Sequence, residues 1–542
     1  MTVQILDVNG QPFQPKKTMA LVGSGTPYDA ADRHSDQMAN WRPYSLSPDL
    51  EINNSRSVIS ARIKDLVRND GWASGGITRI LDNTVGATFR PILKPDYRSL
   101  RLLTGIKGFD IQWADEYKKT IEAHYRRWAL DTRRFCDVQR KLTLPQIFRL
   151  AFRHKLIDGD GIALLHYRLD KINDHDAYYA TAIQIIDPDR LSNPDNMFDN
   201  EKYRGGVEIN NDGAHVAYHI RKAHESDWFS MPDAMSWQRI PRETKWGRPI
   251  IIHDFDMDRT DQHRGTGIFT PILQRMKMLT KYDQSELESS ILNAVFSAYI
   301  ESPYDQTLVE EAMGEISTYQ KERAEFHNDR RISLSSGAKM PILFPGEKIT
   351  SVNAARPVSN FRDFESTVLR NCASAMGLSS QQLSQDWSDV NYSSARAALI
   401  EVWKTLSRRR SDFATGFAQP ILSAFVEELH ENGLLPLPNG APHFAHNRNA
   451  YSRAQWMGPG KGWVDPVKEK QGAILGMQNG LSTLEIEVAE NVGEDYLELL
   501  DQIQLEKEAF ESRGLTPPHI MGINIGKDDE KQDDSHTVTK GT

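Results

Sequence analysis

The residues that look most capable of chemistry lie in the segment HDFDMDRTDQH, residues 253–263. Its aspartates at positions 254, 256 and 258 alternate like calcium-loop ligands, and a metal-dependent nuclease could use the same carboxylates. Arg259, however, stands where the sharp-turn glycine of a calcium loop is needed, and Gly265 replaces the bidentate glutamate. His253 and His263 are too far apart to face a zinc ion from one helical turn. These departures favour a solvated strand end and turn.

Other short motifs are weaker still. The acidic pair in DGDG, residues 158–161, is typical of a turn between a helix and a strand. His443 and His446 in PHFAH lack a third metal ligand. The GSG at residues 23–25 lacks the lysine of a phosphate-binding loop, and neither GxSxG nor HExxH occurs. We therefore expect no catalytic residue, no metal site and no cofactor.

Composition limits the class of protein further. The net charge of the 542 residues is −9, which argues against a protein that coats DNA with a basic face. Residues 481–542 hold 15 acidic and 5 basic side chains, so most of the negative charge lies at the C-terminal end. Cys136 and Cys372 are too few for a disulfide scaffold, and no apolar run is long enough to predict a membrane-spanning helix.

The sequence pattern predicts an α+β fold in which long amphipathic helices are the main elements that position these residues. Residues 1–50 predict a flexible arm, and a helix follows from Ser57. Residues 113–130 have helical spacing, and residues 203–221 alternate around NNDGA as a β-hairpin does. Later segments predict a small α/β insertion, residues 297–358, and a helix over residues 360–376 that is capped by Asn360 and stopped by Gly377.

A long amphipathic helix is predicted over residues 267–296, immediately before that insertion. One stripe is apolar and contains Ile272, Met276, Leu279, Leu287, Ile291 and Val295. The polar stripe contains Tyr282, Glu286, Ser289 and Asn293. The apolar stripe is expected to be buried, and the polar stripe is expected to face water or another chain.

A polar segment, residues 380–393, joins the helix that ends at Gly377 to a helix predicted over residues 394–432. Within the second helix, Pro420 cannot donate a hydrogen bond to the carbonyl of Gly416, so we predict a kink there. The residues of interest in the polar segment are Asp386, Trp387, Ser388, Asp389, Val390, Asn391 and Tyr392. Two aspartates and no basic residue make this segment weakly repulsive to a polyanion.

At these residues the chain resembles the lambda-type portal proteins of tailed bacteriophages, over roughly residues 40–515. Five stretches in order carry the resemblance, which makes it specific. They are ARIKDLVRNDGWASGGITRILDNTVG (61–86), IQIIDPDRLSNP (183–194), HDFDMDRTDQHRGTGIFTPIL (253–273), WSDVNYSSARAALIEVWK (387–404) and WMGPGKGWVDPVKEKQGA (456–473).

The resemblance implies a ring, usually of about twelve subunits, at one vertex of the phage head. Double-stranded DNA passes through its channel during packaging and ejection, without sequence-specific recognition. The ring has no ATPase of its own, since a terminase motor docks on it. The implied partners are other copies of the chain, the large terminase subunit, the major capsid protein and scaffold, and the head-completion or neck proteins. The implied location is the virion, with the host cytoplasm during assembly and no membrane.

The resemblance also implies the portal fold and its named parts. These are a wing (51–266), a first stem helix (267–296), a clip (297–358), a second stem helix (359–379), a tunnel loop (380–393), a kinked wing helix with its connection (394–455) and a crown (456–515). An acidic tail (516–542) follows, which we expect to be disordered.

Several alternatives remain open from the sequence. Trp387 and Tyr392 either contact DNA transiently, as does Asn391, or pack on adjoining helices. The polar stripe of residues 267–296 lines the channel or forms the interface with the next subunit. The arginines 408–410 are expected to lie on a solvated or subunit-facing side of the helix. A metal-dependent nuclease and a monomeric adaptor are the competing classes. If the chain forms a ring, its monomer is expected to expose unusually large apolar patches.

Overall fold

The structure, a computed structural model, describes residues 40–41, 43–87, 89–175, 177–295, 299–301, 331–333, 339–341, 348–350, 361–388, 391–460, 466–493 and 496–515, and places residues 321 and 325 in helix. Most of the predicted N-terminal arm, all of the acidic tail, Asn360 and most of residues 297–358 therefore lie outside the described residues. Within the described part, no helix combines the length and apolar character that crossing a bilayer would require.

The first half of the chain is mixed α/β, as predicted. Its helices are α1 (Pro48–Asn69), α2 (Gly71–Thr84), α3 (Tyr97–Thr104), α4 (Ile111–Ala129), α5 (Leu144–Asp158), α6 (Leu169–His175) and α7 (Met231–Ala234). Its strands are β1 (Arg90–Leu93), β2 (Asp160–Tyr167), β3 (Thr181–Ile186), β4 (Tyr203–Arg204), β5 (Val207–Ile209), β6 (His215–Arg221), β7 (Trp237–Pro241) and β8 (Ile251–Phe255).

The second half is dominated by helices. They are α8 (Leu273–Val295), α9 (Phe361–Met376), α10 (Ser380–Ser384), α11 (Tyr392–Phe413), a π-helical segment (Ala414–Ala418), α12 (Gln419–Glu431), α13 (Arg448–Ser452), α14 (Pro466–Gln478), α15 (Leu484–Asn491) and α16 (Tyr496–Glu511). The strands are β9 (Tyr299–Glu301), β10 (Arg331–Ser333), β11 (Lys339–Pro341), β12 (Lys348–Thr350) and β13 (Ala454–Met457).

The described strands form small antiparallel sheets. One sheet has the order β3-β2-β8, and a second has the order β4-β5-β6-β7, in which β5 and β6 form the predicted hairpin. Three two-stranded sheets pair β1 with β13, β10 with β11, and β9 with β12. The pairing of β1 with β13 brings the C-terminal half of the chain back onto the first half.

One large apolar core lies among the helices. The predicted stripe of α4 is buried, since Trp113, Tyr117, Ile121, Tyr125 and Trp128 all face this core. Trp128 stacks on Phe425 of α12 with ring centroids 4.3 Å apart. Aromatic side chains from α5, α11 and the π-helical segment meet at the centre of this core. The helical core therefore joins residues more than 250 positions apart in the chain, such as Trp128 and Phe425.

Several predicted boundaries are wrong for identifiable reasons. Helix α1 begins at Pro48, inside the predicted arm, because proline suits a first helical turn and the helix is held by distant partners. Helix α8 begins at Leu273 rather than at 267, because Gly267 lies against the backbone of α5. A Cβ atom on Gly267 would be 2.1 Å from the carbonyl oxygen of Ile157. That close packing requires an irregular segment before the helix.

Burial along α8 also departs from the prediction. Ile272 and Met276 are buried as expected, together with Leu279. Leu287 and Ile291, farther along the same stripe, are 62% and 53% exposed. The single chain therefore buries the first part of the apolar stripe and leaves Leu287 and Ile291 facing solvent.

The carboxylate of Asp160 ties four parts of the chain together. It accepts hydrogen bonds from Arg56 Nη2 of α1 and Arg264 Nε, both at 2.8 Å, and from the backbone N–H of Gly265 at 2.8 Å. His253 Nε2 of β8 lies 3.1 Å away. Burial alone would raise the pKa of Asp160, but the charges of Arg264 and Arg56 hold it well below its usual range.

Arg264 also binds backbone carbonyl groups around this carboxylate. Arg264 also donates to the carbonyl oxygens of Leu191, Pro188 and Gly205. Its own pKa is lowered to about 10, chiefly by burial. Because Arg264 lies between β8 and α8, this network fixes the segment that leads into the long helix.

We predict that Asp160→Asn lowers the free energy of unfolding by about 3–5 kcal/mol, because Arg56 and Arg264 would remain buried without a carboxylate. Chemical denaturation monitored by circular dichroism measures the loss. Asp170→Asn is the matched control, since Asp170 pairs with Arg168 at an exposed site and its removal is expected to change stability little. A loss at Asp160 as small as that of the control would contradict this role.

Candidate functional site

The polar segment between α9 and α11 has a defined root on each side. Helix α9 ends at Met376 and is followed by Gly377, whose φ of +71° is the left-handed conformation that favours glycine. The N–H of Leu378 then donates to the carbonyl oxygen of Ala373 at 2.9 Å. On the other side, the Asn391 side chain accepts from Ser394 N and caps α11. The segment is therefore anchored at both ends by helix-capping interactions.

Part of this segment is helical, which corrects the prediction of a continuous loop over residues 380–393. Ser379 caps the short helix α10 through a capping box with Gln382. Only residues 385–391, called the junction loop below, connect α10 to α11, and α11 begins at Tyr392 rather than at Ser394. Asn391, predicted as a DNA contact, has its side-chain oxygen occupied by the cap.

Asp386 makes hydrogen bonds within the junction loop and one ion pair to α9. Its Oδ1 accepts from Ser388 N at 3.0 Å and from Ser388 Oγ at 2.6 Å. These hydrogen bonds, followed by the charge of Arg362, lower the pKa of Asp386. Arg362 Nη2, at the start of α9, lies 3.4 Å from Asp386 Oδ2, and both side chains are exposed. Residue spacing does not predict this pair, because Arg362 and Asp386 lie in different elements.

The other predicted junction-loop residues are only partly described. Trp387 is 40% exposed, so it is neither a core residue nor fully solvated, and Ser388 is exposed. Asp389 and Val390 lie outside the described residues, as does the side chain of Tyr392. The alternative between DNA contact and helix packing therefore stays open for both aromatic residues.

The polar stripe of α8 is split between two environments. The Tyr282 ring packs on Phe361 and Phe364 of α9, with centroids 5.6 Å and 5.0 Å away, and holds the two long helices together. Glu286 is half-buried, while the side chains of Ser289 and Asn293 lie outside the described residues. Tyr282 is thus a contact between α8 and α9 within one chain.

The long helix is interrupted where Gly416 and Pro420 lie. Residues Ala414–Ala418 form a π-helical turn between α11 and α12, and Pro420 is in the first turn of α12. A proline that cannot donate to the preceding turn promotes such interruptions. Gly416 also lies against Asp254, since a Cβ atom there would be 2.3 Å from the Asp254 Oδ1. The absence of a side chain at Gly416 lets the helix approach β8.

The aspartates of residues 253–263 do not converge on an open site. Lys155 Nζ lies 2.9 Å from Asp254 and 3.0 Å from Asp256, so an ammonium group occupies the space between these carboxylates. Burial raises the pKa of Asp254 to about 6, although Lys155 opposes the shift. At Asp258, the backbone N–H donates to Gln262 Oε1 at 2.9 Å. This arrangement favours a structural role for the acidic segment over the nuclease alternative.

A second acidic group near DGDG also has a cation in its centre. Among the described residues, His154, Asp158 and Asp187 are close enough to hold a metal ion, as are Asp187, Asp189 and His224. Lys64 Nζ, however, lies 3.0 Å from Asp158, 3.6 Å from Asp187 and 2.6 Å from Asp189. The lysine of α1 therefore supplies the positive charge that these carboxylates require.

The arginines 408–410 were expected to face solvent or another subunit, and this is correct only for Arg408, which pairs with Asp412 on the exposed side. Arg409 Nη1 donates to the carbonyl oxygen of Met376 at 2.8 Å. Arg410 donates to the carbonyl oxygens of Asn83, Thr84 and Pro459, at 2.9, 2.9 and 3.0 Å. Two of the three arginines thus bind helix ends within the chain, a function that helical spacing alone does not reveal.

Comparison with known proteins gives the class to which this arrangement belongs. The family model described as "Phage portal protein, lambda family" matches residues 34–410. The portal protein of Escherichia phage N15 is 31% identical over 494 residues, which cover 89% of this chain and 90% of that protein. Portal protein B of Escherichia phage lambda is 31% identical over 513 residues, covering 92% and 93%. By class, then, the chain is a bacteriophage portal protein.

Within that class, the chain belongs to the lambda family of phage portal proteins, which confirms the resemblance noted in the sequence. Among solved structures, one chain of the neck of an empty gene transfer agent particle, computed with C6 symmetry, is similar with a TM-score of 0.44 and 14% identity. That match covers 79% of this chain and 92% of the other.

His215, His253 and His263 lie close together, and their surroundings predict that folding stability depends on pH. Burial, then the neighbouring His253 and His263, lower the pKa of His215 to about 3. Below its ordinary value of 6.5, unfolded His215 binds a proton that the folded chain does not accept, so stability falls as the pH falls from 6.5 toward 3. We predict that His215→Gln makes this decline shallower, as measured by thermal melting across that range.

The wild-type chain and His215→Gln are compared by the slope of melting temperature against pH. Absolute values are not compared, because the variant also loses the contact of His215 Nδ1 with the Tyr218 hydroxyl at 3.0 Å. His263 titrates in the opposite sense: its hydrogen bond to Asp49 raises its pKa, so its contribution is lost as the pH rises. Parallel declines for the variant and the wild-type chain would contradict the assignment to His215.

Proposed function

We propose that about twelve copies of this chain form a ring at one vertex of a phage head and that double-stranded DNA passes through its channel during packaging and ejection. Membership of the lambda portal family supports this function. The ring is a conduit without an ATPase, and a separate terminase supplies the motor. The protein acts in the virion after assembly in the host cytoplasm.

The observation that carries the ring is the apolar surface left on the two long helices. Leu287 and Ile291 of α8 are more than half exposed, and Phe364 of α9 is 50% exposed. An apolar stripe that is buried at one end and exposed at the other is typical of a surface that a partner covers. A second copy that packs head to tail against this surface would bury it and repeat around a closed ring.

The parts of the chain then take the roles that the family implies. Helices α8 and α9 form the stem, and residues 297–358 form the clip, which faces the large terminase subunit and later the neck proteins. The region 51–266 and the long helix form the wing, and residues 456–515 form the crown. The major capsid protein and scaffold contact the outside of the ring during assembly.

The junction loop is the part that faces DNA in this proposal. Asp386 neutralises Arg362 at the loop root, which limits the attraction of that guanidinium for phosphate. Asp389 adds negative charge, and the loop itself carries no basic residue. A ring of such loops would keep a duplex centred without gripping it, while Trp387 and Tyr392 supply transient contacts.

We predict that Leu287→Asp combined with Ile291→Asp prevents ring formation, because charged side chains would have to be buried between neighbouring copies. Sedimentation and negative-stain electron microscopy measure the assembly state. The double variant Leu102→Asp, Leu103→Asp is the matched control, since these leucines are 85% and 69% exposed in α3. Normal rings from the stem variant would show that this surface is not the interface.

We also predict that shortening the junction loop by removing residues 387–390 leaves ring assembly intact but reduces the amount of DNA retained in the head. The loop spans two capped helix ends, so its length affects the channel and not the stem contacts. Nuclease-resistant DNA per particle is the measurement, and the chain with its full-length loop is the control. Full retention by the shortened chain would remove the loop from the DNA path.

A further inference from the structure

The end of α9 and the long helix α11 approach each other closely at Gly377. A Cβ atom on Gly377 would lie 2.9 Å from Thr405 Cγ2 and 3.4 Å from Arg409 Nη2. Gly377 also has a φ of +71°, so both its conformation and its surroundings favour glycine. The root of the segment that leads to the junction loop is therefore packed directly on the side of α11.

Arg409 joins the two elements at this point. Its guanidinium donates to the carbonyl oxygen of Met376, the last residue of α9, at 2.8 Å. The last carbonyl groups of a helix lack partners inside the helix and carry partial negative charge, so an arginine is a favourable donor there. Burial lowers the pKa of Arg409, and the carboxylate of Asp256 opposes that shift.

The next residue, Arg410, attaches α11 to other parts of the chain. Arg410 binds the last carbonyl groups of α2 through Asn83 and Thr84, and it also binds the carbonyl oxygen of Pro459. Its guanidinium lies 5.0 Å from the ring centre of Trp403. Consecutive residues of one helix therefore hold two different partners, the core helix α2 and the end of α9.

From this geometry we propose that Arg409 is a positioning residue for the junction loop. It fixes the start of the α10 segment against α11, and the N-terminus of α11 carries the other end of the loop at Asn391. Helix α11 therefore contacts the chain on both sides of the loop, at Met376 through Arg409 and at its own N-cap, Asn391. The inference rests on the proposed function of the loop as the part of the channel that faces DNA.

Hydrogen exchange of the purified full chain, measured by mass spectrometry, tests the positioning role without DNA. The amides of Leu378, Leu383 and Gln385 are hydrogen-bonded beside this joint and report on it. We expect Arg409→Met to increase exchange in peptides covering residues 377–385 by about tenfold, since it removes one charged hydrogen bond. Peptides covering α12 should be unchanged, and Arg409→Lys should restore part of the protection.

Arg408→Met is the matched control, because Arg408 pairs with Asp412 on the exposed side of the same helix and should leave exchange unchanged. Unchanged exchange over residues 377–385 in Arg409→Met would overturn the inference. An equal increase throughout the chain would also overturn it, since that result indicates a general loss of stability.

DNA retention separates this inference from the function on which it rests. We expect Arg409→Met to form rings but to retain several-fold less DNA than Arg408→Met. Normal retention in Arg409→Met, together with loss in the shortened-loop chain, would overturn the positioning role and uphold the proposed function. Normal retention in the shortened-loop chain would instead overturn the function of the loop itself, whatever the exchange data show.

Discussion

The rest of the described structure depends on the hydrogen bonds and ion pairs of one buried carboxylate, that of Asp160. It binds Arg56 of α1, His253 of β8 and the Arg264–Gly265 segment, while belonging itself to β2. A buried charge of this kind is stable only when its partners are all in place, so it selects one arrangement of these elements. Arg264 lies in the segment that connects β8 to α8. The same arrangement therefore determines where α8 leaves the core.

The acidic segment that looks catalytic in the sequence extends this constraint toward the junction loop. Lys155 of α5 holds Asp254 and Asp256, and Asp254 lies against Gly416 in the π-helical turn of the long helix. Arg409, farther toward the N-terminus of that helix, holds the end of α9. Ion pairs, close packing and a helix-end hydrogen bond thus connect the α/β region to the end of α9, and the carboxylates of the acidic segment have a structural role.

Periodicity and turn chemistry predicted the elements themselves well. The buried face of α4, the hairpin of β5 and β6, and the stop of α9 at Gly377 all follow from local residue patterns. Local patterns could not predict the start of α1 at Pro48, since Arg56 finds its partner about 100 positions away in Asp160. Periodicity marked Leu287 as apolar but could not tell whether its partner belongs to the same chain.

The helix junction was predictable in its position along the chain, but its contacts were not. The junction between two helices is visible in the sequence, and the family resemblance gave it a function. The pairing of Asp386 with Arg362, the cap at Asn391 and the inward direction of Arg409 depend on how helices pack. Lys64 likewise fills an acidic group whose members come from three separate elements, which no spacing rule could indicate.

We propose that copies of this chain close into a ring whose channel is lined by the junction loops. Electron cryomicroscopy of the purified full-length protein tests it most directly. We expect closed rings with an opening that admits a DNA duplex, residues 385–391 on the innermost wall, and Leu287 and Ile291 buried between neighbouring copies. Single chains at all protein concentrations and salt conditions, or rings with residues 385–391 on the outer surface, would contradict it.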